Sequence, residues 1–269
     1  MHPDSPSTNA AKLPNVFVIG APKCGTTSLV AYLSSHPNIF VCDPKEPNYW
    51  SKELPLADSA EQAATWTGYM RFFLDAEECH TARIDGSTTY CWSAYAVPDI
   101  LRELPDSKFI FMIRNPVALA PSLHSEELLS GHEDITDYNE AWKLQDQREG
   151  GRCVPARAGC WQKVAYRRIA CLGTLLERLT RLIPDGRLVV IVFDDLVREP
   201  RSEYLRVLEF LNLPPIEPAT YLVHNPAKHH LLPAVSRAIL KPTGAVGRTA
   251  LALKSLFHRF GIRGVRAVW

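Results

Sequence analysis

The chain has 269 residues, 46% of them apolar and 22% charged, a balance that suits one sizeable globular domain and excludes low-complexity or collagen-like chains. No run approaches the eighteen apolar residues of a spanning helix, and the polar opening MHPDSPSTNAAKLPN has no apolar leader region. The net charge of +1 hides an asymmetry: residues 1–217 carry 22 basic and 29 acidic groups, net −7, and the remainder carries eight basic groups and no acidic one. These features predict a disordered tail over 1–12, one domain over 13–269, a basic tail over about 218–269 and a cytoplasmic home. A basic block of this kind points to an anionic partner, such as phosphates, an acidic glycan or a membrane surface. The seven cysteines are odd in number and form no C-x-x-C pair, so neither a disulfide framework nor a zinc knuckle is expected. Cys153 and Cys160 could bridge the loop RCVPARAGC, but reduced thiols are the expectation.

In chain order, residues 13–19 read as a buried strand, 26–35 as a helix ended before Pro37, and 38–42 as a short strand. The proline-broken segment DPKEPNYWSKELP follows, then a helix over 59–78 with an aromatic face, and a short strand over 83–85. Residues 97–104 form a helix, KFIFMI (108–113) a buried strand, and 115–129 a helix. The polar stretch 130–159 is expected to be irregular, a lid or mobile loop. A long amphipathic helix is predicted over 162–182, a strand over RLVVIVF (187–193) and a helix over 201–211. Alternating strands and helices argue for an α/β fold, a P-loop-like three-layer arrangement with a central parallel sheet.

The stretch FVIGAPKCGTTSL, Phe17 to Leu29, leads a strand through a glycine loop into a helix. Such a turn presents backbone N–H groups and a helix N-terminus to an anion. Gly20 and Gly25 have the spacing of G-x-x-x-x-G-K-[ST], yet Thr26 stands in the lysine slot and Lys23 lies inside the loop. Lys23, Cys24, Gly25, Thr26, Thr27 and Ser28 are the candidate phosphate-binding set. Further on, RNPVALAPS places Arg114 at the end of a strand and Ser122 eight residues later on a helix.

Together the loop PKCGTTSL and the Arg114–Ser122 pair resemble the 5′-phosphosulfate and 3′-phosphate signatures of the sulfotransferases. The segments Tyr166 to Leu179 and Phe193 to Pro214 extend that resemblance, which covers roughly residues 13–215. It implies 3′-phosphoadenosine 5′-phosphosulfate (PAPS) as donor. Arg114 and Ser122 would hold the 3′-phosphate, the loop would hold the 5′-phosphate, and Lys23 would stabilise charge on the leaving phosphate. The scheme requires no metal.

The segment KEPNYW resembles the loop carrying the glutamate base of heparan-type glycan sulfotransferases, which makes Glu46 the candidate base. The K-T-H histidine segment of the cytosolic phenol and steroid enzymes is replaced here by DGSTTY, Asp85 to Tyr90. In the heparan-type enzymes the equivalent segment has a lysine before the serine, where this chain has Gly86. Ser87, Thr88 and Tyr90 are expected donors to acceptor or sulfonate. His124, two residues past Ser122, is a weaker base candidate, read first as a helix-surface histidine. Tyr49, Trp50, Trp66, Tyr69 and Trp92 are either an aromatic platform for a sugar ring or phenol, or core.

The expected partners are therefore a glycan or small-molecule acceptor and, through the basic tail, an anionic membrane surface; no nucleic acid is expected. Arg248 and Lys254 are candidates to close over the donor, and ALALKSLFHRFGIRGV reads as an amphipathic basic helix. Two other readings stay open. One is a magnesium-dependent nucleotide kinase or NTPase, with VVIVFDD as its acidic strand end. The other is a non-catalytic nucleotide-binding scaffold.

Overall fold

A computed structural model describes residues 12–54 and 65–222. The expected tail over 1–12 (save Lys12), Arg248, Lys254 and the basic amphipathic segment lie outside the described residues. Those described fall into two compact units, 12–122 with 167–222, and 123–166.

The first unit is built on a five-stranded parallel sheet of order β2-β3-β1-β4-β5. Its strands are β1 (Val16–Val18), β2 (Ile39–Val41), β3 (Ala82–Asp85), β4 (Lys108–Ile113) and β5 (Leu188–Val192). Strands covered by helices on both faces are apolar throughout rather than alternating. Accordingly Val16, Phe17 and Val18, and Phe109 through Met112, are all buried. Helix α1 (Thr26–Leu33) links β1 to β2. Next come α2 (Trp66–Met70) and α3 (Ala96–Glu103), and α4 (Pro116–Ser130) follows β4. The chain moves outward from β1 to one edge and then crosses to the other. An order reversal of this kind places ligand sites at the carboxyl ends of the strands.

The helix expected over 59–78 is shorter where it is described. It starts at Thr65, whose side chain accepts from Gly68 N, and passes into a 3₁₀ turn at Arg71–Phe73. The single helix expected over 162–182 is broken into a 3₁₀ turn (Trp161–Val164), α7 (Tyr166–Ala170) and α8 (Leu172–Leu182). Ala165 and Cys171 leave the helical region, with ψ of 62° and 55°. The Val164 carbonyl, which a continuous helix would spend on its own ladder, accepts from Gln145 Nε2 at 3.1 Å and Arg148 Nη1 at 3.5 Å. Beyond β5, α9 (Phe193–Arg198) and α10 (Pro200–Leu211) complete this unit.

The second unit corrects the expectation of an irregular 130–159. It contains α5 (Tyr138–Lys143), capped by Asp137, and α6 (Gln145–Glu149). Its centre is a buried carboxylate. Glu133 receives Arg148 at 2.6 and 3.0 Å, the Tyr166 hydroxyl at 2.7 Å, and the backbone N–H groups of Asp134 and Ile135 at 3.0 Å. Burial pushes the Glu133 carboxyl up, but these donors outweigh it and hold the group below its ordinary range. His124 is buried rather than on the helix surface. Its Nε2 lies 2.8 Å from the Ile135 carbonyl, and its ring packs between Tyr138 and Tyr166. Cys153 and Cys160 are both free thiols.

Removing one member of a buried ion pair strands the other charge. Arg148→Met is therefore expected to cost about 3–5 kcal/mol. Urea unfolding measures this, and Glu133→Gln/Arg148→Met should be less destabilised than Arg148→Met alone.

Candidate active site

Five strand ends supply the residues singled out from the sequence. Residues 19–25 leave β1, the KEPNYW loop follows β2, DGSTTY follows β3, Arg114 follows β4 and Phe193 follows β5. A parallel sheet aligns these ends on one edge without any long-range signal in the sequence.

The glycine loop is pressed against its neighbours. A Cβ on Gly20 would stand 2.6 Å from Met112 Cβ, so β1 can pass β4 here only as glycine. Gly25 is the N-cap of α1 with φ of +84°, and a Cβ there would meet Phe193 Cδ2 at 2.6 Å. Both conformation and space therefore demand glycine. Lys23 holds a positive φ of 65°, a backbone state that costs a non-glycine residue energy and clusters at ligand sites.

Among the loop's other residues, Thr26 and Ser28 are nearly buried in the first turn of α1, Thr27 is half-buried, and Ser28 bonds the Tyr32 hydroxyl. Cys24 is wholly buried and its N–H bonds the Ala21 carbonyl at 3.3 Å. Burial pushes its thiol up to about 12, so it is a packed side chain rather than a nucleophile.

Arg114 meets this loop directly. Its Nη1 donates to the Lys23 carbonyl at 3.1 Å and its guanidinium lies 4.6 Å from the Phe193 ring centroid. Its Nε is buried with no hydrogen-bond partner among the described residues. A half-buried guanidinium with a buried, unmet donor is what an anion such as a phosphate satisfies. Phe193 thus touches both Arg114 and the Gly25 turn. In the sequence it marks only the end of a strand and the start of the segment Phe193 to Pro214, with no role of its own. Asp194 and Asp195 lie in the first turn of α9, where Asp195 pairs with Arg198 on the surface. Ser122 lies six residues into α4, about 9 Å along its axis.

The other half of the site is organised by Asp85, which the sequence reading passed over. It is fully buried at the end of β3. Its Oδ1 accepts from Ser87 N at 3.0 Å and Ser87 Oγ at 2.6 Å, and its Oδ2 from the hydroxyls of Tyr69 and Tyr90 at 2.7 and 2.9 Å. Each partner reaches onward to the KEPNYW loop. Ser87 Oγ accepts from Asn48 N at 3.0 Å, Tyr90 from Trp50 N at 3.4 Å, and Tyr69 from Trp50 Nε1 at 3.2 Å. Ser87 and Tyr90 are therefore spent on Asp85 rather than offered to a ligand. Tyr49, Trp50 and Tyr69 are core: they are buried, and Tyr49 stacks on Tyr69 at 4.6 Å.

Held by this frame, Glu46 stays partly exposed. Lys45 Nζ donates to its Oε1 at 2.6 Å and Thr88 Oγ1 to its Oε2 at 3.1 Å. Behind the turn Thr88–Cys91, Arg178 of α8 donates to the carbonyls of Ser93 (2.9 Å) and Cys91.

With this geometry established, comparison with known proteins supplies the class. The Sulfotransferase family model matches residues 57–218, and the chain belongs to that family. The match begins beyond the glycine loop and Glu46. A bifunctional heparan sulfate N-deacetylase/N-sulfotransferase 1 of Caenorhabditis elegans is 25% identical over 228 residues, 83% of this chain and 25% of its own length. The heparan sulfate glucosamine 3-O-sulfotransferase 3B1 of Mus musculus is 24% identical over 224 residues, 78% of this chain and 51% of its own. The chain thus spans a quarter to a half of these relatives. The crystal structure of a sulfotransferase from Alicyclobacillus acidocaldarius superposes with a TM-score of 0.68 at 24% identity, covering 91% of this chain and 96% of that one. That likeness gives the fold, the P-loop-like α/β arrangement. Family membership implies PAPS as the sulfuryl donor, and it disfavours the kinase reading. No helix among the described residues is long and apolar enough to cross a membrane.

Burial drives the Asp85 carboxyl up from 3.8 to about 6, against the pull of its four donors. Between those values the folded chain binds more protons than the unfolded one. Stability contributed by this group is therefore full below about pH 4 and falls as pH rises towards 6. The change amounts to roughly 3 kcal/mol. Asp85→Asn should flatten that slope, as read from the difference in urea midpoints between variant and parent across pH 4–7.

Proposed function

We propose that the chain transfers a sulfuryl group from PAPS to a hydroxyl or amine of a carbohydrate or glycolipid acceptor. The observation that carries this reading is Arg114. It is a half-buried guanidinium with a free Nε, stacked on Phe193 and bonded to the backbone of the glycine loop. One rigid assembly then offers an always-charged fork and a helix N-terminus, as a donor with two separated anionic groups requires.

When bound, PAPS supplies an activated sulfuryl group and departs as adenosine 3′,5′-bisphosphate. In the proposed assignment Arg114 and Ser122 bind the 3′-phosphate, and the amides and hydroxyls of Gly25, Thr26, Thr27 and Ser28 bind the 5′-phosphate. Cys24 belongs to the same loop set, its buried side chain packing the turn. Lys23 neutralises charge developing on the leaving phosphate oxygen. Glu46 accepts the proton of the acceptor hydroxyl or amine as its oxygen or nitrogen bonds to sulfur. Its carboxylate is suited to this because one donor rests on each oxygen, which fixes its plane and leaves lone pairs open. The heparan-type names of the relatives support a glycan acceptor; a phenol or simple alcohol is the second choice. A cytoplasmic location and contact of the basic tail with anionic membrane belong to the same proposal.

Transfer of label from ³⁵S-PAPS to desulfated heparan sulfate, a neutral glycolipid and 4-nitrophenol tests the reading, alongside calorimetry with adenosine 3′,5′-bisphosphate and AMP. Lys23→Ala should lower kcat about 10²–10³-fold, and Arg114→Ala should chiefly weaken bisphosphate binding, by about 30-fold or more. Glu46→Gln should slow transfer about 10²–10⁴-fold with donor affinity intact. Equal affinity for the bisphosphate and AMP would refute the donor assignment.

A further inference from the structure

Lys45 and Glu46 are neighbours in sequence, and Lys45 lies in a bend just before the carboxylate. Their contact at 2.6 Å is reached by a path of the lysine across Gly86. The Lys45 carbonyl accepts from Gly86 N at 3.0 Å. Its side chain then runs over the glycine, so that a Cβ on residue 86 would meet Lys45 Cγ at 3.0 Å, the Lys45 carbonyl oxygen at 3.3 Å and Cδ at 3.5 Å. The ammonium ends 3.2 Å from the Gly86 carbonyl and 2.6 Å from Glu46 Oε1. Gly86 is thus held from both ends of one lysine, and its φ is not in the left-handed region. The reason for glycine here is space, not conformation.

We infer that Lys45 is a positioning residue for Glu46, and that residue 86 is glycine because the lysine must lie across it to reach the carboxylate. The inference rests on the reading of Glu46 as the base. The Lys45 and Glu46 side chains keep 23% and 35% of their exposure, and a pair so open to water adds little stability. Fixing a long lysine side chain also costs rotamer entropy. Stability does not account for the arrangement, whereas orientation of a reacting carboxylate does. Thr88 holds the second oxygen at 3.1 Å; the lysine completes the clamp and brings a cation to the side of the site where DGSTTY itself carries none.

The test is a double-mutant cycle on the full chain, with Lys45→Met, Gly86→Val, both together, and Glu46→Gln in parallel. The acceptor is whichever of the three named above takes label fastest. Each single change at 45 or 86 should lower kcat about tenfold with adenosine 3′,5′-bisphosphate affinity within about twofold, and Lys45→Met should leave the unfolding midpoint little changed. The double variant should be no slower than the worse single one, because both act through one contact. A second readout needs no acceptor. The Lys45 ammonium should give a slowly exchanging ¹⁵N NMR signal in the parent that disappears in Gly86→Val. Full rate in Lys45→Met, multiplying losses in the double variant, or an ammonium signal surviving in Gly86→Val overturns the inference. A slow Glu46→Gln beside a full-rate Lys45→Met removes only the role of Lys45; a full-rate Glu46→Gln removes the base assignment itself.

Discussion

The burial of one carboxylate, Asp85, constrains the half of the site that holds the KEPNYW loop. A charge taken out of water is tolerated only if its lone pairs are met, and here Ser87, Tyr69 and Tyr90 meet them with four donors. Because each of these partners also bonds Asn48 or Trp50, satisfying Asp85 and fixing the KEPNYW loop are one event. A loop that looks proline-broken in sequence is pinned at its backbone. The rise of the Asp85 carboxyl to about 6 shows that the donors do not fully offset its desolvation. Some stability is given up so that the loop beside it has one conformation.

The glycine-loop half is arranged on a different principle. There Arg114 keeps its Nε unmet and the apolar contacts do the fixing. Phe193 closes against Gly25 on one side and carries the Arg114 guanidinium on the other, so the turn and the cation are set by one ring. Donors fixed before a ligand arrives cost less to organise when it binds. The left-handed Lys23, whose carbonyl Arg114 holds, fits the same account: local strain is kept where binding can use it.

Much of the fold was legible because a covered parallel sheet writes its strands as unbroken apolar runs. VFVI, KFIFMI and LVVIV each fell where expected, and the glycine loop and Arg114 followed from strand ends. What could not be read was set by tertiary partners. The amphipathic period over 162–182 is genuine, but the Val164 carbonyl serves Gln145 and Arg148 instead of the helix. The polar composition of 130–159 conceals a core because its centre is an ion pair, Glu133 with Arg148, rather than an apolar cluster. Direction was equally hidden. Ser87 and Tyr90 belong to a segment rich in donors, yet they turn inward to an aspartate that sequence reasoning treated as a strand end.

Glycine placement shows where sequence carries information about crossings. At Gly20 the intruding atoms belong to Met112 backbone and Cβ, and at Gly25 to the Phe193 ring. A side chain there collides with groups that cannot yield, so these two positions are dictated by the fold. At Gly86 the neighbours are the Lys45 stem, Cγ at 3.0 Å, and the Lys45 carbonyl oxygen at 3.3 Å. A larger residue would press on both, and releasing the Lys45 side chain would relieve only the first. What such a residue would forfeit is the ammonium's contact with Glu46. Gly20 and Gly25 thus face groups that cannot yield, whereas Gly86 faces one lysine whose backbone limits room and whose far end meets Glu46.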